Sequence, residues 1–295
     1  MFMCYGLYLL LFFGIIFLTN DERNDFMSDD STTNNLALVN IPEVPDSVDN
    51  AMRNLTDAPT KSMGQTLSSI WELVFGPINH AADKRRLKYA VDLEQYQQQL
   101  TQSIEQIPEE KKIEPDIQVA AQALENSKYC ISSDILRKMF VNLISGSMNS
   151  DTQSLAHPAF PEILKQLSPD DALLLKDIYF SNQPSLPIAK VGLNANNGGH
   201  TMFYDNLFVP NELDFSCTKC LLSLSSLERA NLISISYNSW RTDDSAYDKL
   251  RQTPEYLEIE KISTSFQASP PYFSKGILQL TALGRVFCSI CIGKC

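Results

Sequence analysis

The sequence predicts a mainly α protein, an N-terminal helical bundle followed by a winged-helix-like α+β module. Three observations carry that prediction. Apolar residues recur every three or four positions through most of residues 65–144. Prolines and Ser/Asp caps punctuate those stretches at short intervals. Only late in the chain do two short runs alternate as strands do, with a long excursion between them. The expected organisation is a hydrophobic segment over 1–18, a flexible polar leader over 19–60, the bundle over 61–151 and the winged-helix-like module over 152–295.

The first segment, MFMCYGLYLLLFFGIIFL, is apolar over about 18 residues, which just reaches the length of a membrane-spanning helix. No Lys or Arg precedes it, and no small-residue cleavage site follows. Two readings stay open. One is an N-terminal anchor that tethers an otherwise cytoplasmic chain to the inner membrane. The other is a start placed too far upstream, with synthesis beginning at Met27. Residues 28–59 are polar, contain Pro42, Pro45 and Pro59, and hold no sustained period.

Order begins near Lys61. Leu67, Ile70, Trp71, Val74 and Phe75 make one helical face, closed by Gly76-Pro77. From Ala81 to Ile107, Leu93, Tyr96, Leu100, Ile104 and Ile107 line a second helix, which Pro108 stops. A third is expected from Pro115 to Lys128 with Ile117, Ala121 and Leu124 inward, and a fourth after a Ser132 or Ser133 cap, carrying Leu136, Met139, Phe140, Leu143 and Ile144. Pro158 to Leu167 reads as a short helix. Ser168-Pro169-Asp170-Asp171 is a strong start signal, with Ser as cap, Pro in the first turn and acids at the positive end of the dipole. Asn194 to Gly199 is a turn. A helix over Leu221, Leu224 and Leu227, a strand over 232–237, the excursion 243–271, a strand over 276–281 and a helix over 282–292 complete the chain. Helix, helix, helix, strand, excursion, strand is the element order of a winged helix.

With 35 acidic against 24 basic residues, the net charge is −11. Such a chain repels nucleic acid unless a basic patch is built locally. The densest one in sequence is Lys84-Arg85-Arg86-Leu87-Lys88, able to meet phosphate or lipid headgroups, or else the solvated start of a helix with Asp92 and Glu94 as partners. Seven cysteines in a chain of 295 residues fit a reducing compartment better than a disulfide framework. Two CxxC pairs, Cys217/Cys220 and Cys288/Cys291, could hold a tetrahedral zinc. Their wide separation and apolar surroundings favour core filling instead. The three histidines, His80, His157 and His200, fall in no HExxH, and the chain has no phosphate-loop, dinucleotide or nucleophile-elbow motif. His157-Pro158 reads as a turn whose ring caps or packs locally. No catalytic residue is nominated, and no cofactor beyond that zinc.

The runs GQTLSSIWELVFGPIN, ADKRRLKYAVDLEQYQQQL, IPEE, LENSKYCISSDILRKMFVNLISGSMNS and HPAFPEILKQLSPDDALLL, in that order, resemble the abortive infection alpha family. The later SLERANLISIS, Tyr247 and ILQLTALGRVFCSIC fit its more variable remainder. The most distinctive positions are Trp71, Phe75, Arg86, Phe140, Asn142, Leu143, His157, Pro158, Phe160, Leu167, Ser168, Pro169 and Asp171. The resemblance implies a bacterial domain used in phage defence, in which an infected cell stops growing or dies before phage mature. It brings no catalytic residues. The expectation is a non-catalytic protein acting through a protein or nucleic-acid partner. The alternatives are a membrane-tethered effector using residues 1–18 and a winged-helix nucleic-acid regulator.

Overall fold

A computed structural model describes residues 64–76, 84–195, 198–265 and 270–293, and the side chains of 84–87 are outside that description. The hydrophobic segment 1–18 and the polar leader also lie outside the described residues. Among the described residues, no helix is long and apolar enough to cross a membrane.

The fold is mainly helical, with one four-stranded antiparallel sheet. Helix α1 spans Gln65–Phe75 and α2 Lys84–Glu105. Leu67, Trp71, Val74 and Phe75 of α1 are buried, and so are Leu93, Tyr96, Leu100 and Ile104 of α2. The Trp71 ring lies 4.5 Å from that of Phe75 and 5.6 Å from that of Tyr96, so the apolar stripes of the two helices meet through tilted ring contacts.

Helix α3 spans Ile117–Ser127, with the Asp116 carboxylate accepting from the Gln118 and Val119 N–H groups. Its inward face only partly matches the one expected, with Leu124 buried and Ala121 half-buried. Val119, Ala120, Ala123 and Leu124 are buried, while Ile117 is 64% exposed. With Asp116 as the cap, Ile117 stands in the first turn, before the helix reaches its neighbours. Helix α4, Asp134–Ser147, begins after Ser133, whose hydroxyl makes no cap bond. Its first turn is held by Arg137, 4% exposed, which donates to Gln99, the Ile131 carbonyl and Asp134.

Helices α5, Phe160–Gln166, and α6, Pro169–Phe180, follow. The start signal of α6 is a complete capping box. The Asp171 N–H donates to Ser168 Oγ at 3.1 Å and the Ser168 N–H to Asp171 Oδ2 at 2.9 Å.

The run of helices expected next is interrupted by a β-hairpin, β1 Leu186–Asn194 and β2 His200–Leu207. Then come α7 Cys217–Arg229, β3 Ile233–Ser236, the short α8 Asp248–Arg251, α9 Pro254–Ser265, β4 Tyr272–Leu280 and α10 Ala282–Cys291. The excursion between the last two strands is therefore largely helical. Helix α7 ends in a Schellman turn on Asn231 (φ 56°), with Leu232 N–H donating to the Leu227 carbonyl and Asn231 N–H to Glu228.

The sheet order is β2-β1-β4-β3. Residues of β1 alternate between two apolar clusters. Leu186 and Ile188 join the large core formed by the helices, together with Leu278 and Ile233. Ala189 and Val191 face a smaller cluster with Tyr247, Leu250 and Ile259 from the excursion. The Tyr247 hydroxyl donates to the Gly276 carbonyl and accepts from the Arg241 N–H, which fastens the excursion onto β4. A Cβ on Gly284 would collide with the Leu232 carbonyl, so α10 approaches the start of β3 closely only because that position is glycine.

Candidate functional site

The residues that make the sequence distinctive are used inside the fold. Trp71, Phe75, Phe140 and Leu143 are fully buried. Phe160 packs edge-on to Phe287 at 5.1 Å, which joins α5 to α10. Asn142 Nδ2 donates to the Cys291 carbonyl at 2.9 Å and so ties the middle of α4 to the last turn of α10, 149 residues on. His157 Nδ1 accepts from the Ala159 N–H at 3.1 Å, and its ring lies 5.9 Å from that of Phe160. Pro158 is half-buried in that turn, and Leu167 is 4% exposed. Ser168, Pro169 and Asp171 start α6.

The four zinc-candidate cysteines are not brought together. Cys288 and Cys291 are buried in the large core, whereas Cys217 packs against the smaller cluster. Among the described residues, no group of three or more His, Cys, Asp or Glu side chains is placed to hold a metal ion. Burial pushes the Cys217 and Cys220 thiols up to about 11 and those of Cys288 and Cys291 well above the ordinary thiol range. A thiol held protonated is a poor nucleophile and a poor metal ligand. Of the basic cluster, Lys84, Arg85 and Arg86 have their backbone in the first turn of α2 and their side chains outside the described residues; Lys88 is exposed.

The structure assembles a site that no sequence run announced. The connection from α6 to β1, residues 181–185, is ringed by three adjoining clefts of about 370, 200 and 80 Å³. Asn211 lines the first two, and Gln183 and Leu186 line the last two. Their walls mix apolar side chains with cations: Lys176 in the first, Arg241 and Lys249 in the second, Arg285 in the third.

None of these four cations takes part in an ion pair with a described residue, whereas Lys219, Arg251 and Lys275 elsewhere in the same half of the chain all do. Arg241 spends Nη1 on Gln183 Oε1 and the Ser185 carbonyl. Acids line the clefts as well, but two of the three are satisfied internally. The Asp177 carboxylate accepts from the Asn211 and Glu212 N–H groups, both at 2.9 Å, and Asp243 Oδ1 accepts from Ser245 N–H and Oγ–H. The site therefore sets four cations without carboxylate partners among the described residues beside three carboxylates, with cations outnumbering acids in the second and third clefts. Its cations are scattered singly over residues 176–285, and tertiary folding alone gathers them.

Neither the curated proteins nor the solved structures compared with this chain give a match. The sequence model of abortive infection alpha matches residues 88–291, from the first described side chain of α2 to the last residue of α10. That range is well over half of the chain and takes in the Asn142 tie, the Ser168 capping box and the whole sheet, so this chain belongs to the abortive infection alpha family.

Proposed function

We propose that the protein is a non-catalytic component of abortive infection that acts by binding a partner. One observation carries this reading: the family-distinctive residues whose side chains are described are engaged in helix caps, a local turn, a tie between helices and the core. What they build is a scaffold, and a scaffold presents a surface. The partner-facing candidate on that surface is the cation-lined groove beside the α6–β1 connection.

The test pairs two readouts. Cells expressing the full chain and challenged with phage are expected to yield fewer plaques than cells without it. The purified protein is expected to turn over no nucleic acid, nucleotide or peptide. Turnover that a single side-chain substitution abolishes would overturn the proposal, as would absence of protection against every phage tried.

The winged-helix-like reading of residues 152–295 is part of this proposal. Its support is the order α6, β1, β2, α7, β3, β4, with α8 and α9 between the last two strands, and the adjacency of β1, β4 and β3 in the sheet. A nucleic-acid regulator would need α7 to present cations, yet Lys219 is paired with Asp170 at 2.9 Å, which favours a protein partner. The apolar run of residues 1–18 supports a second reading, an effector tethered to the membrane. Protein that stays in washed membranes, and leaves them when residues 1–26 are deleted, would move that reading to first place.

A further inference from the structure

We infer that the three clefts around the α6–β1 connection form a docking groove for an acidic, apolar peptide segment of a partner protein; this deepens the interaction reading above and rests on it. In a chain of net charge −11, Lys176, Arg241, Lys249 and Arg285 lack carboxylate partners among the described residues and yet border one connected depression. Unpaired cations beside apolar walls favour an occupant that supplies carboxylates and greasy side chains together.

The walls supply the second half. Leu173, Phe180 and Leu213 line the first cleft and Val209 the second, all half-buried, so an occupant would cover their remaining apolar surface between its charged points. Trp240, next in sequence to Arg241, is 59% exposed, and Trp is a residue type that anchors interfaces. The first cleft shares Asn211 with the second, and the second shares Gln183 and Leu186 with the third, so one peptide segment can reach from each to the next.

Nucleic acid fits less well. Glu212, Asp177 and Asp243 line the first two clefts beside the cations. A polyphosphate presents a negative charge at every step and would meet those carboxylates, whereas a peptide can space its acids to miss them. The overall negative charge also opposes a polyanion at long range and opposes a short acidic peptide much less.

The experiment uses the purified full-length chain and a fluorescein-labelled twelve-residue peptide of alternating Glu and Leu. A peptide with Lys in place of Glu and a labelled oligo-dT strand serve as comparisons, and anisotropy is the readout. Binding of the Glu/Leu peptide is expected. It should weaken at least tenfold in Lys176→Glu/Lys249→Glu, severalfold in Lys176→Ala/Lys249→Ala, and as salt rises from 50 to 500 mM. Both lysines are exposed and make no hydrogen bond or ion pair with a described residue, Lys176 Nζ only resting over the Phe180 ring at 5.8 Å, so the variants should keep their thermal melt. The inference is overturned by no binding, by equal binding of the Lys/Leu peptide, by binding that both variants retain, or by oligo-dT displacing the peptide. Failure here leaves the plaque and turnover test of the interaction reading standing, because that test does not depend on which surface is used.

Discussion

At the scale of single residues, Asn142 shows how a polar side chain in a helix can hold two distant segments together. Its amide donates to the Cys291 carbonyl, one of the carbonyls that the end of α10 leaves without a helical partner. Asn142→Ala removes that donor and should cost about 1–2 kcal/mol in urea unfolding, the range for a partly buried hydrogen bond whose acceptor is stranded. Asn142→Asp should cost more than Asn142→Ala at neutral pH, since a carboxylate would face both a carbonyl oxygen and the negative end of a helix dipole. The reverse order would show that Asn142 is needed for its volume and not for its donor. Asn142 was recognisable in sequence as distinctive, but its partner was not, because no periodicity links positions 149 residues apart. His157 is the opposite case. Its partners lie within three residues, so its local role could be read from His157-Pro158 alone.

At the scale of elements, local chemistry decided what was legible. The start of α6 could be read because every group that makes it lies within four residues. Ser168 and Asp171 each bond the other's backbone and not the other's side chain. Ser168→Ala and Asp171→Ala should therefore each cost about 1 kcal/mol and should sum to about 2 in the double variant. A double variant that costs no more than one single would show the box acting as a unit. The β1–β2 hairpin escaped the same reading for a physical reason. Strand β1 is apolar on both faces, Leu186 and Ile188 toward one cluster and Ala189 and Val191 toward the other, so alternation is erased. Pro187 and Gly192 within it also weaken any strand signal. Helix α9 was missed although Tyr256, Ile259 and Ile262 step by three, since most of its remaining positions are charged or Ser/Thr and its helical stripe is thin.

At the scale of the whole molecule, the fold buries four of the five described thiols and gathers cations at one groove, and neither pattern is visible in a chain whose cysteines and basic residues are scattered. The buried thiols make stability depend on pH in one direction. Burial raises the Cys217 and Cys220 thiols to about 11, and Cys288 and Cys291, deeper in the core, higher still. Burial likewise raises Tyr89, to about 12. In the unfolded chain a thiol ionises near pH ~8.5. Because the folded values are the higher ones, the stabilisation is fully present below about pH 8.5 and is lost as pH climbs towards 11. Between those limits, each thiol as buried as Cys288 or Cys291 removes about 1.4 kcal/mol per pH unit. The urea midpoint should therefore be nearly flat from pH 6.5 to 8 and fall steeply between pH 9 and 10.5. Self-repulsion of an acidic chain would produce a similar fall, but 0.5 M salt would largely abolish it, while desolvated thiols are insensitive to screening. Cys288→Ala/Cys291→Ala lowers the starting stability by opening space in the core, so the slope is the quantity to compare. A shallower alkaline slope in that variant, unchanged by salt, is the expected result; an unaltered slope would assign the fall to net charge and take the thiols out of the account.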